Sequence, residues 1–194
     1  AVLVAAFQNW LRPAGASFDH LHKQLVAIDE LGTDLEQQLV RLEAEPELYE
    51  RWGERYAVDQ GLVIARTEHA VAVAGVGHRH PAIVVWSRVP GRPWELSSHV
   101  VRHFSDLLRA IHLATGPEVP TNEEWHHQPP SVRFDSPLRV AVKWRVSTPA
   151  GFEGGTRVYV NTIDPWTVAD RVRRRLRELI DAGVLDGVEV DPGR

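Results

Sequence analysis

The sequence of 194 residues contains no cysteine, no methionine and no long hydrophobic run. Without cysteine, this chain has no thiol nucleophile, no disulfide scaffold and no zinc–thiolate site. The longest apolar run, residues 1–7, is far too short to span a bilayer and lacks the basic flank of a signal peptide. These absences predict a cytoplasmic protein with no membrane partner.

Charge of neither sign is in large excess. The 22 lysine and arginine residues against 26 aspartate and glutamate residues give a formal net charge of −4. Such a balance does not predict binding to the nucleic acid backbone, so no nucleic acid partner is expected. What the chain has is 43% hydrophobic and 25% charged residues, which is typical of a folded globular protein. A phosphate-bearing ligand would therefore need a local site.

The hydrophobic patterns predict an α+β fold, because strands and helices follow one another as strands, helix, strands, helix. The predicted strands cover residues 2–7, 21–28, 62–65, 70–76, 82–87, 138–147 and 157–161. The predicted helices begin near residues 34, 98 and 165. Residues 118–136 are predicted to be a long polar loop, and residues 151–155 a hairpin turn. The basic run at 171–177 is interpreted as a solvated helix face.

The segment from residue 9 to residue 24 carries the chemistry. If its end is a strand, the two-residue period places His20, His22 and Gln24 on one face. The small-residue loop just before them can direct backbone N–H groups and the Ser17 hydroxyl at an anion, and Gly15 permits close approach. A neutral imidazole attacks phosphorus near pH 7, and donors around it stabilise the phosphoryl oxygens, so the pattern indicates phosphoryl chemistry.

Other interpretations compete with this one. Two histidines separated by one residue also occur by chance, without function. Lys143 and Arg145 lie on the basic face of the predicted strand 138–147, where they either contact substrate phosphate or are simply solvated. His99 and His103 have the four-residue spacing of a metal-binding helix, but this spacing is also common on solvated helix surfaces.

Asn9 and the run Gly15-Ala16-Ser17-x-x-His20-x-His22-x-Gln24 resemble the active-site segment of galactose-1-phosphate uridylyltransferases. These enzymes are a branch of the histidine-triad superfamily, whose fold is an antiparallel sheet with flanking helices. The whole chain is most similar to an uncharacterised group of uridylyltransferase-like proteins. The resemblance implies a complete C-terminal repeat and a partial N-terminal repeat, preceded in the natural protein by a further N-terminal half.

The same resemblance implies roles for individual residues. His22 occupies the position of the nucleophile, which takes up a nucleoside monophosphate as a covalent nucleotidyl-histidine. Gln24 and Ser17 match residues that contact the transferred phosphate, and Asn9 matches a residue that positions the substrate. His20 matches a catalytic position whose main-chain carbonyl orients the nucleophile and whose side chain binds zinc in some members.

The chain also departs from the family pattern. The other zinc ligands belong to the part of the family's N-terminal half that this chain does not include, so the zinc site is incomplete here. Of the histidine cluster in the second repeat, only His126 remains as a candidate metal ligand. Lys143 and Arg145 instead offer positive charge to the substrate. The expected cofactor is zinc, with His20 and His126 as the candidate ligands, and no redox cofactor is expected.

These features together predict a nucleotidyltransferase. Its expected partners are a nucleotide or nucleotide-sugar donor and a phosphate-containing acceptor. The expected units are residues 1–33 as the catalytic end of a first repeat, 34–60 as a helical connector and 61–194 as a second repeat. An exposed edge strand near the N-terminus predicts a homodimer. Two alternatives stay open: a dinucleoside polyphosphate phosphorylase or hydrolase, and a non-catalytic nucleotide-binding or assembly module.

Overall fold

The computed structural model describes residues 1–18 and 20–193. Its strands are β1 (Leu3–Trp10), β2 (Lys23–Ile28), β3 (Val63–Arg66), β4 (Ala70–Ala74), β5 (Ala82–Pro90), β6 (Thr121–His126), β7 (Pro137–Trp144) and β8 (Glu189–Val190). Its α-helices are α1 (Thr33–Ala44), α2 (Leu48–Glu50), α3 (Tyr56–Asp59), α4 (Ser98–Thr115), α5 (Gly151–Thr156) and α6 (Pro165–Asp181).

All eight strands form one antiparallel sheet in the order β2-β1-β6-β7-β5-β4-β3-β8. The prediction of an α+β fold with an antiparallel sheet and flanking helices is thereby confirmed. Residues 1–28 contribute β1 and β2, and β1 pairs with β6 from the later part of the chain. The division into units at 1–33, 34–60 and 61–194 stays a prediction.

The core lies between one face of the sheet and the two long helices. In α4, Phe104, Leu107 and Ile111 recur every three or four residues and are buried against β4 and β5. The α6 residues Val168, Val172 and Leu176 follow the same spacing and face β3 and β4. Ser97 caps α4 by accepting a hydrogen bond from the Val100 N–H at 3.3 Å.

Two sequence predictions in the second half of the chain are wrong. The segment predicted as a polar loop contains β6, which lies inside the sheet between β1 and β7. Its residues are mostly polar, so the sequence did not indicate a strand. The supposed hairpin turn at 151–155 is instead α5, and residues 157–161 form no strand. The physical reason is topological: β5 and β6 already flank β7, so no free edge remains for a further partner.

The basic run near the C-terminus is only partly a solvated face. Arg173 is buried on α6, and its guanidinium donates hydrogen bonds to the Val63 and Gly61 carbonyls. Arg171, Arg174 and Arg175 are exposed, as expected. Among residues 1–18 and 20–193, no helix has the length and apolarity that crossing a lipid bilayer requires.

Candidate active site

Asn9 belongs to a row of residues that crosses the sheet from β1 to β7. The pairing of β1 with β2 ends at Gln8 and Lys23, so His22 directly precedes the paired residues of β2. Asn9 pairs with Asn122 of β6, which pairs with Lys143 of β7. Directly opposed residues project to the same side of an antiparallel sheet. We call the side that carries Asn9, Asn122 and Lys143 the open face; the row from β1 to β7 spans about 10 Å.

On the opposite side of the sheet, a buried carboxylate of β6 contacts α4. Glu123 is fully buried and is hydrogen-bonded to Lys23, to Trp125 and to His112 of α4. Burial by itself would raise the pKa of Glu123, but the bonds from His112, Lys23 and Trp125 outweigh it and lower the pKa to about 2. Because Lys23 follows His22 directly, this carboxylate anchors the strand that begins at the histidine segment.

The ring of His22 is oriented by the backbone. Its Nδ1 lies 3.0 Å from the carbonyl oxygen of His20. A carbonyl only accepts hydrogen bonds, so Nδ1 carries the proton and the neutral ring keeps its lone pair on Nε2. The rings of Phe18 and His20 pack around it, with centroid distances of 5.9 and 5.1 Å. Because β2 begins at Lys23, both histidines lie just before the strand rather than within it as predicted.

The small-residue loop before the histidines differs from the expectation of an anion-binding backbone. The N–H groups of Ala14 and Ala16 bond to the Leu11 carbonyl, and that of Gly15 bonds to the Arg12 carbonyl, at 2.9–3.2 Å. These three donors are therefore used inside the loop. Leu11 has a φ of 65° and Gly15 a φ of 86°, which make the tight turn. The exposed Ser17 lies after it.

A side-chain network connects this loop to β6 and β7. Asn122 Nδ2 donates to Asn9 Oδ1 and to the Ala14 carbonyl, both at 2.7 Å. Arg145 donates from its guanidinium to Asn122 Oδ1 at 2.8 Å. Arg145 Nε is buried without a hydrogen bond partner in the described part of the chain. Asn122 was missed as a site residue because its strand was predicted as a loop.

Lys143 and His126 line a cavity of about 1030 Å³ on the open face. Lys143 makes an ion pair with Glu124 at 2.6 Å, and Arg139, four residues earlier in β7, lies on the same face. Burial lowers the pKa of His78 to about 4, and the positive charge of Lys143 is the next largest cause. Burial, then Arg139 and Lys143, lowers the pKa of His126 to about 3. Arg139 was missed by sequence reasoning, although it shares the two-residue period of Lys143 and Arg145.

These surroundings do not fit a metal ion at His126. The positive charges of Arg139 and Lys143 act on His126, and the Glu124 carboxylate, 3.9 Å from His126 Nε2, is already paired with Lys143. Among residues 1–18 and 20–193, the group with metal-binding side chains close together is Glu68, His99 and His103. It lies at the turn between β3 and β4 and at the start of α4, away from the predicted ligands His20 and His126.

The comparisons with known proteins give a family and a fold. The family described as "Domain of unknown function (DUF4921)" matches residues 1–191. No curated protein matches the sequence significantly. An ADP-glucose phosphorylase from Arabidopsis thaliana, solved with ADP-glucose bound, has a TM-score of 0.74 at 22% identity and covers 88% of this chain. A GalT-like protein from Arabidopsis thaliana has a TM-score of 0.75 at 23% identity and also covers 88%. A uridylyltransferase has a TM-score of 0.74 at 17% identity and covers 92%.

These TM-scores establish the fold. The fold that the resemblance to uridylyltransferase-like proteins implies is confirmed. The chain spans 57%, 60% and 62% of the lengths of these three structures.

Proposed function

The chain belongs to the DUF4921 family and shares its fold with uridylyltransferase and ADP-glucose phosphorylase structures; from this premise we propose that it transfers nucleoside monophosphates through His22. The observation that carries the proposal is the 3.0 Å contact between His22 Nδ1 and the His20 carbonyl. In the proposed reaction, this contact leaves Nε2 free to act as the nucleophilic atom, on a ring that directly precedes β2.

The reaction has two steps. In the first, the Nε2 lone pair of His22 attacks the α-phosphorus of a nucleotide sugar or dinucleotide. An N–P bond forms, and the bond from that phosphorus to the bridging oxygen breaks, so the rest of the donor leaves as a phosphate. In the second, a phosphate oxygen of the acceptor attacks the same phosphorus, the N–P bond breaks, and neutral His22 is restored. The proton stays on Nδ1, hydrogen-bonded to the His20 carbonyl, throughout.

The surrounding residues have distinct parts in this proposal. Gln24 and Ser17 hold the transferred phosphate, and Asn9 positions the donor. Arg145 and Lys143 supply positive charge toward the phosphate oxygens, where charge increases in the transition state. Gly15 keeps the loop in its left-handed turn. Zinc at His20 would be structural, and no step of the transfer passes through it.

Labelling tests the covalent step. The protein is incubated with UDP-glucose or ADP-glucose carrying 32P in the α-phosphate, and an acid-labile adduct is expected. His22→Ala should abolish the adduct. His20→Ala is the matched control, because it removes an imidazole two residues away but keeps the carbonyl that orients His22; the adduct should persist. An adduct that survives His22→Ala, or none with either donor, contradicts the proposal.

Phosphorolysis is the second candidate, because one structure with this fold is an ADP-glucose phosphorylase. It shares the nucleotidyl-histidine and differs in the acceptor. Supplying inorganic phosphate, water or a sugar 1-phosphate as the sole acceptor to the labelled protein separates phosphorylase, hydrolase and transferase. Nucleotide binding without any adduct would favour the third alternative, a non-catalytic binding or assembly module.

We also propose a homodimer formed along β2. This strand is at the edge of the sheet, and Leu25, Val26 and Ile28 on it are 72%, 44% and 37% exposed. An unpaired apolar edge favours strand addition. Sedimentation should give a dimer that Val26→Pro dissociates; a monomeric wild type contradicts this assignment. The cytoplasmic location stays a prediction.

A further inference from the structure

A cluster of three histidines and one carboxylate lies outside the candidate active site. Glu68 and His69 form the turn between β3 and β4, and His99 and His103 are one turn apart at the start of α4. The Nε2 atoms of His69, His99 and His103 lie 3.5, 3.4 and 3.6 Å from carboxylate oxygens of Glu68. The ligand atoms of Glu68, His99 and His103 all lie within 4.8 Å of one another. His69 lies beside this group of three and faces the other carboxylate oxygen, Oε1.

These separations suit a shared ion better than direct hydrogen bonds. An N–H···O bond to a carboxylate is normally about 2.7–2.9 Å long, clearly shorter than the observed values. Four ligands at about 2.0–2.1 Å from a tetrahedral zinc ion are separated by about 3.3 Å. Three imidazole nitrogens and one carboxylate oxygen form a donor set that borderline divalent ions such as Zn²⁺ prefer over Mg²⁺ or Ca²⁺.

The backbone that carries the four ligands is fixed on both sides. Thr67, which is buried, donates from its hydroxyl to the His103 carbonyl at 3.1 Å and so joins the turn to α4. The Thr67 N–H bonds to the Ala70 carbonyl at 3.0 Å, and the Arg88 N–H bonds to the His69 carbonyl at 2.9 Å. A ligand set on such a frame needs only side-chain adjustment to close around an ion.

We propose that Glu68, His69, His99 and His103 bind one divalent transition-metal ion of the zinc type. The ion would clip the β3–β4 turn to the N-terminal end of α4. The proposed metal site is separate from the candidate active site. The α4 residue that connects to β2 is His112, which contacts Glu123, the hydrogen-bond partner of Lys23. His112 is nine residues after His103, which is about 13 Å along the helix. The ion therefore stabilises the fold and takes no part in nucleotidyl transfer.

The test uses the 194-residue chain without a histidine tag, freed of metal by dialysis against a chelator. Calorimetric titration with Zn²⁺ should give one ion per chain and raise the melting temperature. Co²⁺ should bind with the intense visible absorption of a four-coordinate nitrogen and oxygen site. Glu68→Gln and His103→Ala should each weaken Zn²⁺ binding at least tenfold.

Matched controls separate the cluster from other ligands. Arg102→Ala changes the neighbouring exposed residue of α4, and Glu43→Gln removes an exposed carboxylate elsewhere; both should bind Zn²⁺ as the wild type does. His69→Ala provides a second variant, outside the helix, if His103→Ala fails to fold. Absence of Zn²⁺ binding, or equal affinity in the wild type and in Glu68→Gln and His69→Ala, overturns the proposal. Loss of the ion on His20→Ala rather than on His69→Ala also overturns it, because the ion would then lie at the candidate active site.

Discussion

Glu123 should make the folded protein unusually dependent on one carboxylate. It is fully buried, and its hydrogen bonds to Lys23, His112 and Trp125 lower its pKa from the ordinary 4.5 to about 2. A difference of this size between the folded and unfolded chains corresponds to a contribution of about 3 kcal/mol to the free energy of unfolding. Because the folded pKa is the lower one, this stability is present above pH 4.5 and is lost as the pH falls toward 2.

The perturbation is Glu123→Gln, which keeps the shape and removes the charge. One amide oxygen cannot accept from all three donors, and the amide NH₂ group opposes them, so we expect a loss of about 2–3 kcal/mol at pH 7. For a chain of this length, this corresponds to a decrease of about 4–12 °C in melting temperature. The variant should also lose less stability than the wild type between pH 5 and pH 2.

Urea unfolding at several pH values measures both effects. His78 and His126, whose pKa values are also lowered, are present in both proteins and cancel in the comparison. Glu178→Gln is the control, because its ion pair with Arg175 is half exposed and should matter little. If Glu123→Gln unfolds within about 0.5 kcal/mol of the wild type at pH 7, or follows the same pH dependence, the reasoning about the buried carboxylate fails.

Three further substitutions test other parts of the structure. Gly15→Ala places a Cβ at a φ of 86° and should cost about 1 kcal/mol in urea unfolding, whereas Gly154→Ala, with open space around it, should be nearly neutral. Arg173→Leu removes the guanidinium donors from the buried Val63 carbonyl and the partly buried Gly61 carbonyl and should cost about 3 kcal/mol, against less than about 0.5 kcal/mol for the exposed Arg174→Leu. Arg145→Met removes the hydrogen bond to Asn122 and should lower the melting temperature slightly. It should also raise the KM for a nucleotide sugar about tenfold, and an unchanged KM would place this guanidinium outside the substrate site.

Local sequence was sufficient to predict an element or a family resemblance where a periodic pattern or a short motif indicates it. The apolar spacing of α4 and α6 predicted both helices, because their inward stripes must be buried whatever they pack against. The segment around His22 indicated a resemblance that the fold confirms, since its spacing is set by residues close in the chain. The roles of His22, Gln24 and Ser17 remain predictions.

Contacts between distant segments could not be predicted in this way. The strand β6 looks like a loop because the partners that stabilise its buried Glu123 include Lys23, 100 residues away, and His112 of α4. The basic helix face looked uniformly solvated until β3 supplied a carbonyl for Arg173. Glu68 lies beside His99 and His103 only because the fold packs the turn between β3 and β4 against the start of α4.

The sequence by itself determined the absence of thiol chemistry, the α+β class and the His20–His22–Gln24 spacing, because composition and short-range order follow directly from the chain. Only the tertiary structure decided which charges are buried and paired, and which strands complete the sheet. It also decided that Asn9, Asn122 and Lys143 lie on one face of the sheet. The physical reason is that burial and cross-strand register come from segments far apart in sequence, which no local pattern records.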